Sequence, residues 1–196
     1  MRFVDMHLIN RLFKRSDTFV KRSICNILLA LYLGFGLPVS QSVAMADELI
    51  EYQVKAAFIY NFIAFTHWPD STGQTINLCI YGEDYFGKEI DKLQNRSINN
   101  RHIKITRITD PDKLKACQVI FFSKSVSRQL SNILNDLQNE PILTLADSPN
   151  ATAQGIAINM SLINEKIVFE INLIKARASG LDISSKLLQL ATKVHQ

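Results

Sequence analysis

Residues 75–81, with the sequence TINLCIY, begin the part of the chain that decides the fold. This run is almost continuously apolar, and so are residues 117–122 (CQVIFF) and residues 142–145 (ILTL). Short apolar runs that do not alternate with polar residues are typical of strands buried on both faces of a sheet. The intervening residues 82–93 and 123–138 carry apolar side chains at helical spacing. The pattern therefore predicts an α/β fold, a three-layer sandwich with a mostly parallel central sheet.

The end of the chain follows a different pattern. Residues 156–162 and 166–171 are two further apolar runs, separated only by Ile163-Asn164-Glu165. This is hairpin spacing, so we expect a C-terminal antiparallel hairpin that extends the sheet. Residues 102–108 alternate like a strand with one solvated face, and residues 184–194 have the spacing of a last helix.

A helix is also predicted at residues 47–68, before Pro69. Four apolar residues, Val54, Phe58, Phe62 and Phe65, recur at helical spacing and form one stripe. Further apolar residues fall outside that stripe, namely Ile59, Tyr60 and Ile63. The helix is thus more apolar than burial of one side requires, which indicates either burial on two sides or a binding partner.

The N-terminal residues have the organisation of a secretory signal peptide. Residues 1–46 contain six Lys or Arg and two Asp or Glu, which accounts for the whole net charge of +4. An apolar run within residues 23–40 follows, and then the small-residue triplet Ala44-Met45-Ala46 before Asp47. We expect cleavage between Ala46 and Asp47, export to the periplasm, and one mature domain at residues 47–196. The alternative is an uncleaved membrane anchor, but such a span usually needs about 20 apolar residues.

The mature part would keep two cysteines, Cys79 and Cys117, in a compartment where disulfides persist. One structural bridge is the main expectation, with unpaired thiols and a catalytic thiol as alternatives. Its 16 basic and 16 acidic residues balance, so the charge gives no reason to expect a nucleic-acid partner.

Residue patterns that carry catalysis or bind cofactors are weak in this sequence. The histidines at 67, 102 and 195 lack metal-ligand spacing, and the chain has no G-x-S-x-G motif. Residues 81–84 (YGED) follow a predicted strand without the glycines of a dinucleotide loop. We therefore expect no enzyme activity, no cofactor and no metal. Glu170 and Arg177 lie near the end of the last predicted strand, either as an ion pair or as polar contacts to a partner.

Several blocks of the sequence together resemble the YfiR family of periplasmic proteins. They are KAAFIYNF at 55–62 with Phe65 and Trp68-Pro69, LCIYG at 78–82, CQVIF at 117–121, LTLAD at 143–147, GIAIN at 155–159, FEIN at 169–172, and ARASGLDISSKLLQLA at 176–191. These blocks occur in order along nearly all of the mature part.

The resemblance implies a regulator of cyclic di-GMP signalling, and hence of biofilm formation and motility. The namesake of the family represses a membrane-bound diguanylate cyclase by binding its periplasmic domain, and an outer-membrane lipoprotein titrates it in turn. The resemblance also implies a Cys79–Cys117 bridge and is compatible with a homodimer. The partner identity and the releasing signal do not follow from it.

Two functional hypotheses result. In the first, a membrane sensor is bound by apolar surface of the first helix (Phe58, Phe62 and Phe65) and by the segment containing Phe169, Glu170 and Arg177. In the second, the protein binds a small molecule at the carboxyl ends of the parallel strands, near residues 82–86 and Asp147.

Overall fold

The three apolar runs form neighbouring strands of one sheet in a computed structural model of the chain, which describes residues 41–196. The chain divides into two units, residues 1–44 and residues 45–196, and both hydrophobic cores belong to the second. The expected apolar run of the signal peptide lies outside the described residues, and the expected cleavage site at Ala46 and Asp47 falls within the first helix. Cleavage therefore stays a prediction. In the described part of the chain, no helix combines the length and apolar character that a membrane span requires.

Ten strands are described in residues 41–196. They are β1 (Thr66–His67), β2 (Thr75–Tyr81), β3 (Ser97–Ile98), β4 (Arg101–Ile108), β5 (Val119–Phe122), β6 (Leu143–Ala146), β7 (Ile158–Ile163), β8 (Lys166–Asn172), β9 (Asp182–Ile183) and β10 (Lys193–His195). Eight of them form the central sheet in the order β10-β8-β7-β6-β5-β2-β4-β3, while β1 pairs with β9. Strands β4, β2, β5, β6 and β7 run parallel, and the hairpin partner β8 is antiparallel to β7. The predicted mostly parallel sheet with an antiparallel hairpin is confirmed.

Within residues 41–196, five α-helices cover this sheet. They are α1 (Gln41–Ala64), α2 (Lys88–Asp91), α3 (Leu130–Asp136), α4 (Leu173–Ala178) and α5 (Ser185–Leu190). Successive residues of a strand point to opposite faces, and β5 shows the result. Val119 and Phe121 belong to the core beneath α1, whereas Ile120 and Phe122 belong to the core beneath α3. One sheet thus separates two cores, which is the predicted three-layer arrangement.

The hairpin between β7 and β8 is tighter than the sequence suggested. Ile163 pairs with Lys166, so the turn contains only Asn164 and Glu165. Both residues have positive φ angles, 50° and 62°, as in a two-residue turn whose twist matches that of the strands. The resulting register pairs Met160 with Phe169 on the α1 face of the sheet.

The first helix differs from its predicted bounds of 47–68. It begins at Gln41 and ends at Ala64, four residues before Trp68. The Thr66 hydroxyl donates to the Phe62 carbonyl at 2.7 Å, which satisfies one of the last carbonyl groups of the helix. Thr66 and His67 then pair with β9, so residues that the pattern placed in the helix belong to a strand.

The predicted helices at 82–93, 123–138 and 184–194 are also shorter in the structure. The first is reduced to α2, and the second divides into a 3₁₀ turn at Lys124–Val126 and helix α3. The third ends at Leu190, and residues 193–195 form β10 instead of helix. Both the amide and the hydroxyl of Thr192 donate to the Phe169 carbonyl at 2.9 Å, which directs the chain onto β8.

The expected disulfide joins Cys79 in β2 to Cys117, just before β5, with 6.0 Å between the two Cα atoms. Both cysteines lie in the core beneath α3. The bridge spans 38 residues, which include the edge strands β3 and β4. It therefore links β2 to the start of its neighbour β5 and closes the loop that contains the two edge strands.

Replacing both cysteines by alanine is expected to lower the free energy of unfolding by roughly 3 to 4 kcal/mol, because a loop of this length restricts the unfolded chain. Urea unfolding followed by circular dichroism measures the change. Reduced wild-type protein is the matched control, since it loses the bridge without losing the sulfur atoms. Equal unfolding midpoints for the oxidised and reduced proteins would contradict the prediction.

Candidate functional site

The strand order reverses around β2, which has β4 on one side and β5 on the other. Chain segments leaving the carboxyl ends of neighbouring strands meet here: Gly82 follows β2, Ser123 follows β5 and Asp147 follows β6. In open α/β sheets, such a reversal creates the crevice where ligands usually bind. This end of the sheet is therefore the first place to look for a functional site.

The tight turn after β2 depends on a glycine. Gly82 has a φ angle of 97°, and a Cβ atom at this position would lie 2.5 Å from the Ser123 hydroxyl oxygen. Any other residue would force the turns after β2 and β5 apart. The Glu83 amide also donates to the Ser125 hydroxyl at 2.9 Å, which holds the two turns together.

The crevice is occupied by side chains of α1. Tyr52 is fully buried, and its ring stacks on that of Tyr85 with 5.4 Å between centroids. The Phe86 ring lies nearly perpendicular to the Tyr52 ring, with 5.0 Å between centroids. An aromatic residue from a helix thus lies where a ligand would lie in a ligand-binding member of this fold class.

A group of polar residues, which we call the anchor cluster, lies beneath α1 beside Tyr52. It consists of Glu51, Tyr52, Lys55 and Asp147. The Lys55 ammonium nitrogen is 2.6 Å from Asp147 Oδ2 and 2.5 Å from Glu51 Oε1. The Tyr52 hydroxyl donates to the same Oδ2 at 2.6 Å. The side chains of Lys55 and Asp147 are only 3% and 1% exposed, so each depends on the other for its charge to be tolerated.

The tyrosine hydroxyls at this end of the sheet remain protonated donors. Burial raises the pKa of Tyr52 far above its ordinary value, and the hydrogen bond to Asp147 raises it further. The hydrogen bond that Tyr85 donates to Glu83 raises the pKa of Tyr85 to about 12. Neither tyrosine is therefore suited to act as a base near neutral pH.

An exposed ion pair joins the start of α1 to the turn after β5. The Lys124 ammonium lies 3.3 Å from Glu48 Oε1 and 4.2 Å from the centroid of the Tyr85 ring. Both charged groups are solvated, so this pair contributes little to stability compared with a buried one. It covers the outer edge of the anchor cluster.

The outer face of α1 is apolar and exposed. Leu49, Ile50 and Val54 are 56%, 59% and 38% exposed, and we call them the outer stripe. Ile50 and Val54 lie on the side of the helix opposite Tyr52 and Ile59, which are buried, and Leu49, three residues before Tyr52, lies at the edge of the exposed face. Apolar surface on a helix whose other face already fills a core is typical of an interaction site.

The stripe predicted from the sequence does not match this arrangement. Phe62 and Phe169 lie in the core, 0% and 4% exposed, with 5.0 Å between ring centroids. They offer no surface to a partner in this structure, while Phe58 and Phe65 are half-buried beside the same core. Ile59 and Ile63, which lie outside the stripe predicted from the sequence, are fully buried, and burial of more than one side of the helix was one of the two expectations. Whether Phe58 and Phe65 touch a partner stays a prediction.

Glu170 and Arg177 do not form the ion pair that was one of the two expectations. Glu170 accepts a hydrogen bond from the Thr152 hydroxyl at 2.8 Å, and its other oxygen lies 2.9 Å from His195 Nε2. Arg177 is exposed on α4. The carboxylate thus ties the C-terminal strand to the sheet, a long-range contact that the sequence did not suggest.

Lys55 and Tyr52 are the site residues that sequence reasoning missed. A lysine whose neighbours one turn away are Ile59 and Tyr52 stands on a buried helix face, where an unpaired charge is rare. That position, together with an aspartate directly after a buried strand, was the available signal for a buried ion pair. This signal could have identified Lys55 and Asp147 as possible partners, but it could not give the distance between them.

The chain is similar to one known protein family and, distantly, to several solved structures. A family model described as YfiR/HmsC-like matches residues 52–192, which is most of the chain. No curated protein matches this sequence. Solved structures that align with it include a conserved domain protein from Vibrio cholerae O1 biovar El Tor (8% identity, TM-score 0.46) and the ABC domain from Streptococcus pneumonia in complex with L-Trp (10%, 0.47).

Each alignment covers 73% of this chain, and this chain spans 60% of each of those structures. Likenesses of this size carry no argument about ligands or activity.

The Glu170 contacts predict a specific acid sensitivity. Burial alone would raise the pKa of Glu170, but hydrogen bonds from His195, Thr152 and Asn159 hold it below its ordinary value of 4.5. The ionised form therefore stabilises the fold above about pH 4.5, and this contribution is lost as the pH falls. The Glu170→Gln variant should lose less free energy of unfolding than wild type between about pH 5 and pH 3, measured by urea unfolding at each pH.

Glu165→Gln is the matched control, because it removes the same charge from the exposed hairpin turn. Equal acid slopes for the two variants would show that the contacts of Glu170 do not matter.

Proposed function

The chain belongs to the YfiR/HmsC-like family, and on that premise we propose that it is a periplasmic regulatory protein that represses a membrane-bound diguanylate cyclase. It acts by binding the periplasmic domain of that cyclase, and its output is a lower level of cyclic di-GMP. The observation that carries the proposal is the outer stripe, an exposed apolar surface on a helix whose opposite face is fixed to the sheet.

The outer stripe fits recognition of a helix by an apolar groove. Ile50 and Val54, four residues apart in α1, share one face, and Leu49 lies at its edge within about two turns. A partner that covers these three side chains would bury apolar area without disturbing the core, because all three are exposed while Tyr52 and Lys55 are buried. The groove belongs, in this proposal, to the periplasmic domain of the cyclase.

The polar groups of the site support a binding role over catalysis. The charges of Lys55 and Asp147 are buried and paired, and the Tyr52 hydroxyl donates to the same carboxylate. Within residues 41–196, no group of histidines, cysteines and carboxylates is arranged to hold a metal ion. The conspicuous polar residues therefore serve the position of the helix, which agrees with a regulatory family.

Periplasmic location is supported by the disulfide and by the family. A buried Cys79–Cys117 bridge suits an oxidising compartment and is rare in the bacterial cytosol. The signal peptide predicted at residues 1–46 would deliver the chain there. An outer-membrane lipoprotein that competes for α1 would release the cyclase, and a homodimer formed through the same stripe would compete in the same way.

The alternative of a small-molecule binding protein receives less support. The crevice at the carboxyl ends of β2 and β5 contains the Tyr52 ring, stacked on Tyr85. A ligand at residues 82–86 and Asp147 would have to displace α1 from the sheet. Protein binding through the outer face of α1 needs no such change.

Deleting the gene is expected to raise cellular cyclic di-GMP, and wild-type protein supplied in trans should restore the low level. A variant with Leu49→Gln, Ile50→Gln and Val54→Gln should fail to restore it. A loss of about 1 kcal/mol at each of the three positions weakens binding roughly 100-fold. Mass spectrometric measurement of cyclic di-GMP provides the readout.

The matched control is Leu162→Gln with Ile163→Gln, which changes apolar residues of similar exposure (51% and 54%) at the β7–β8 hairpin. This control should repress as wild type does. A chain lacking residues 1–46 tests the need for export and should not repress. An unchanged cyclic di-GMP level after deletion would rule out the proposed function.

A further inference from the structure

We propose that the buried Lys55–Asp147 pair is a positioning element, which sets the rotation of α1 on the sheet and so decides which apolar face is left outside. The geometric part of this proposal stands on the structure alone. Its consequence for repression rests on the proposed function above.

Apolar packing alone does not select one rotation of α1. The helix carries apolar residues on more than half of its circumference, including Val54, Phe58 and Phe65 as well as the buried Ile59 and Ile63. Hydrophobic attraction is non-directional, so a rotated helix could bury a different set of these side chains. The stripe read from the sequence is one such alternative face.

The ion pair distinguishes between these rotations because it is short, buried and directional. Lys55 Nζ lies 2.6 Å from Asp147 Oδ2, and Tyr52 donates to the same oxygen from one turn earlier at 2.6 Å. A rotation by one residue, about 100°, would withdraw both donors and leave the Asp147 carboxylate buried without a partner. An uncompensated buried charge is strongly unfavourable, which excludes the rotated helix.

Asp147 is a fixed reference point for the helix. It directly follows β6, a central strand with parallel neighbours on both sides. The next residue, Ser148, accepts a hydrogen bond at its carbonyl from the Asn159 side chain at 3.0 Å. Among the described residues, both hydrogen bonds to Asp147 come from α1 and end at Oδ2, while Oδ1 has no partner. The sheet thus fixes the position of the Asp147 carboxylate, and α1 supplies both hydrogen-bond donors to it.

The ion pair can therefore determine the rotation of α1 without adding to the stability of the fold. Replacing a buried ion pair by apolar residues of similar size often leaves the free energy of unfolding unchanged, but it removes the directional contact between helix and sheet. The variant Tyr52→Phe, Lys55→Met, Asp147→Leu should therefore fold, with a melting temperature at or above that of wild type. Its α1 should nevertheless no longer be confined to one rotation.

Spin labels on cysteines introduced at Gln53 and Lys104, both exposed, report the position of α1 relative to β4. Protein exported from cells expressing the full chain is labelled, and the distance between labels is measured by pulsed electron paramagnetic resonance. Wild type should give one narrow distance, and the apolar variant a shifted or broadened distribution. In the deletion strain, the apolar variant should leave cyclic di-GMP as high as in the absence of the gene.

The matched control is Glu48→Gln with Lys124→Met, which removes the exposed ion pair of the same helix and should keep the wild-type distance. A folded apolar variant with the wild-type distance would overturn the proposal. So would loss of folding in both the apolar variant and the polar neutral variant Lys55→Met, Asp147→Asn, because the pair would then be a stability element. If wild-type protein fails to lower cyclic di-GMP, only the proposed function fails, since the distance still tests the position of α1.

Discussion

A buried lysine ammonium group needs a carboxylate within hydrogen-bonding distance. In this protein, that requirement determines the rotation of the first helix, α1, on the sheet. Lys55 and Asp147 are almost completely buried and 2.6 Å apart, with the Tyr52 hydroxyl on the same oxygen. Because the contact is directional, it fixes which residues of α1 join the core. The outer stripe is exposed as a consequence of this inner contact.

The sheet provides the frame in which this pair can form. Its central parallel strands are short and buried on both faces, so their carboxyl ends bring Gly82, Ser123 and Asp147 to one edge. In many α/β proteins this edge receives a ligand. In this protein the Tyr52 ring of α1 occupies this edge, stacked on Tyr85. The position where other proteins bind a ligand therefore binds a helix of the same chain.

Two further long-range contacts hold the sheet together. The disulfide between Cys79 and Cys117 joins β2 to the start of β5 and closes the loop that contains β3 and β4. On the opposite side, Glu170 connects β8 to the loop residue Thr152 and to His195 in the last strand. Both contacts join residues far apart in the chain, so each restricts how segments of the sheet can separate.

The sequence by itself determined the elements whose signals are local. Residues 75–81 form a buried strand as predicted, since a continuous apolar run of that length has few other stable arrangements. The hairpin around Asn164 and the fold class followed from spacing in the same way. The Cys79–Cys117 bridge was expected from the number of cysteines and the family resemblance.

Only the tertiary structure decided which face of α1 is buried, which strand residues 193–195 pair with, and which groups form hydrogen bonds with Glu170. The hydrogen bonds from Tyr52 and Lys55 to Asp147 join residues 95 and 92 positions apart, and that from His195 to Glu170 joins residues 25 apart. Periodicity reports which residues share a face of one helix, but not which of several apolar faces is selected. That selection depends on the position of a distant carboxylate, because a buried charge needs its partner within hydrogen-bonding distance.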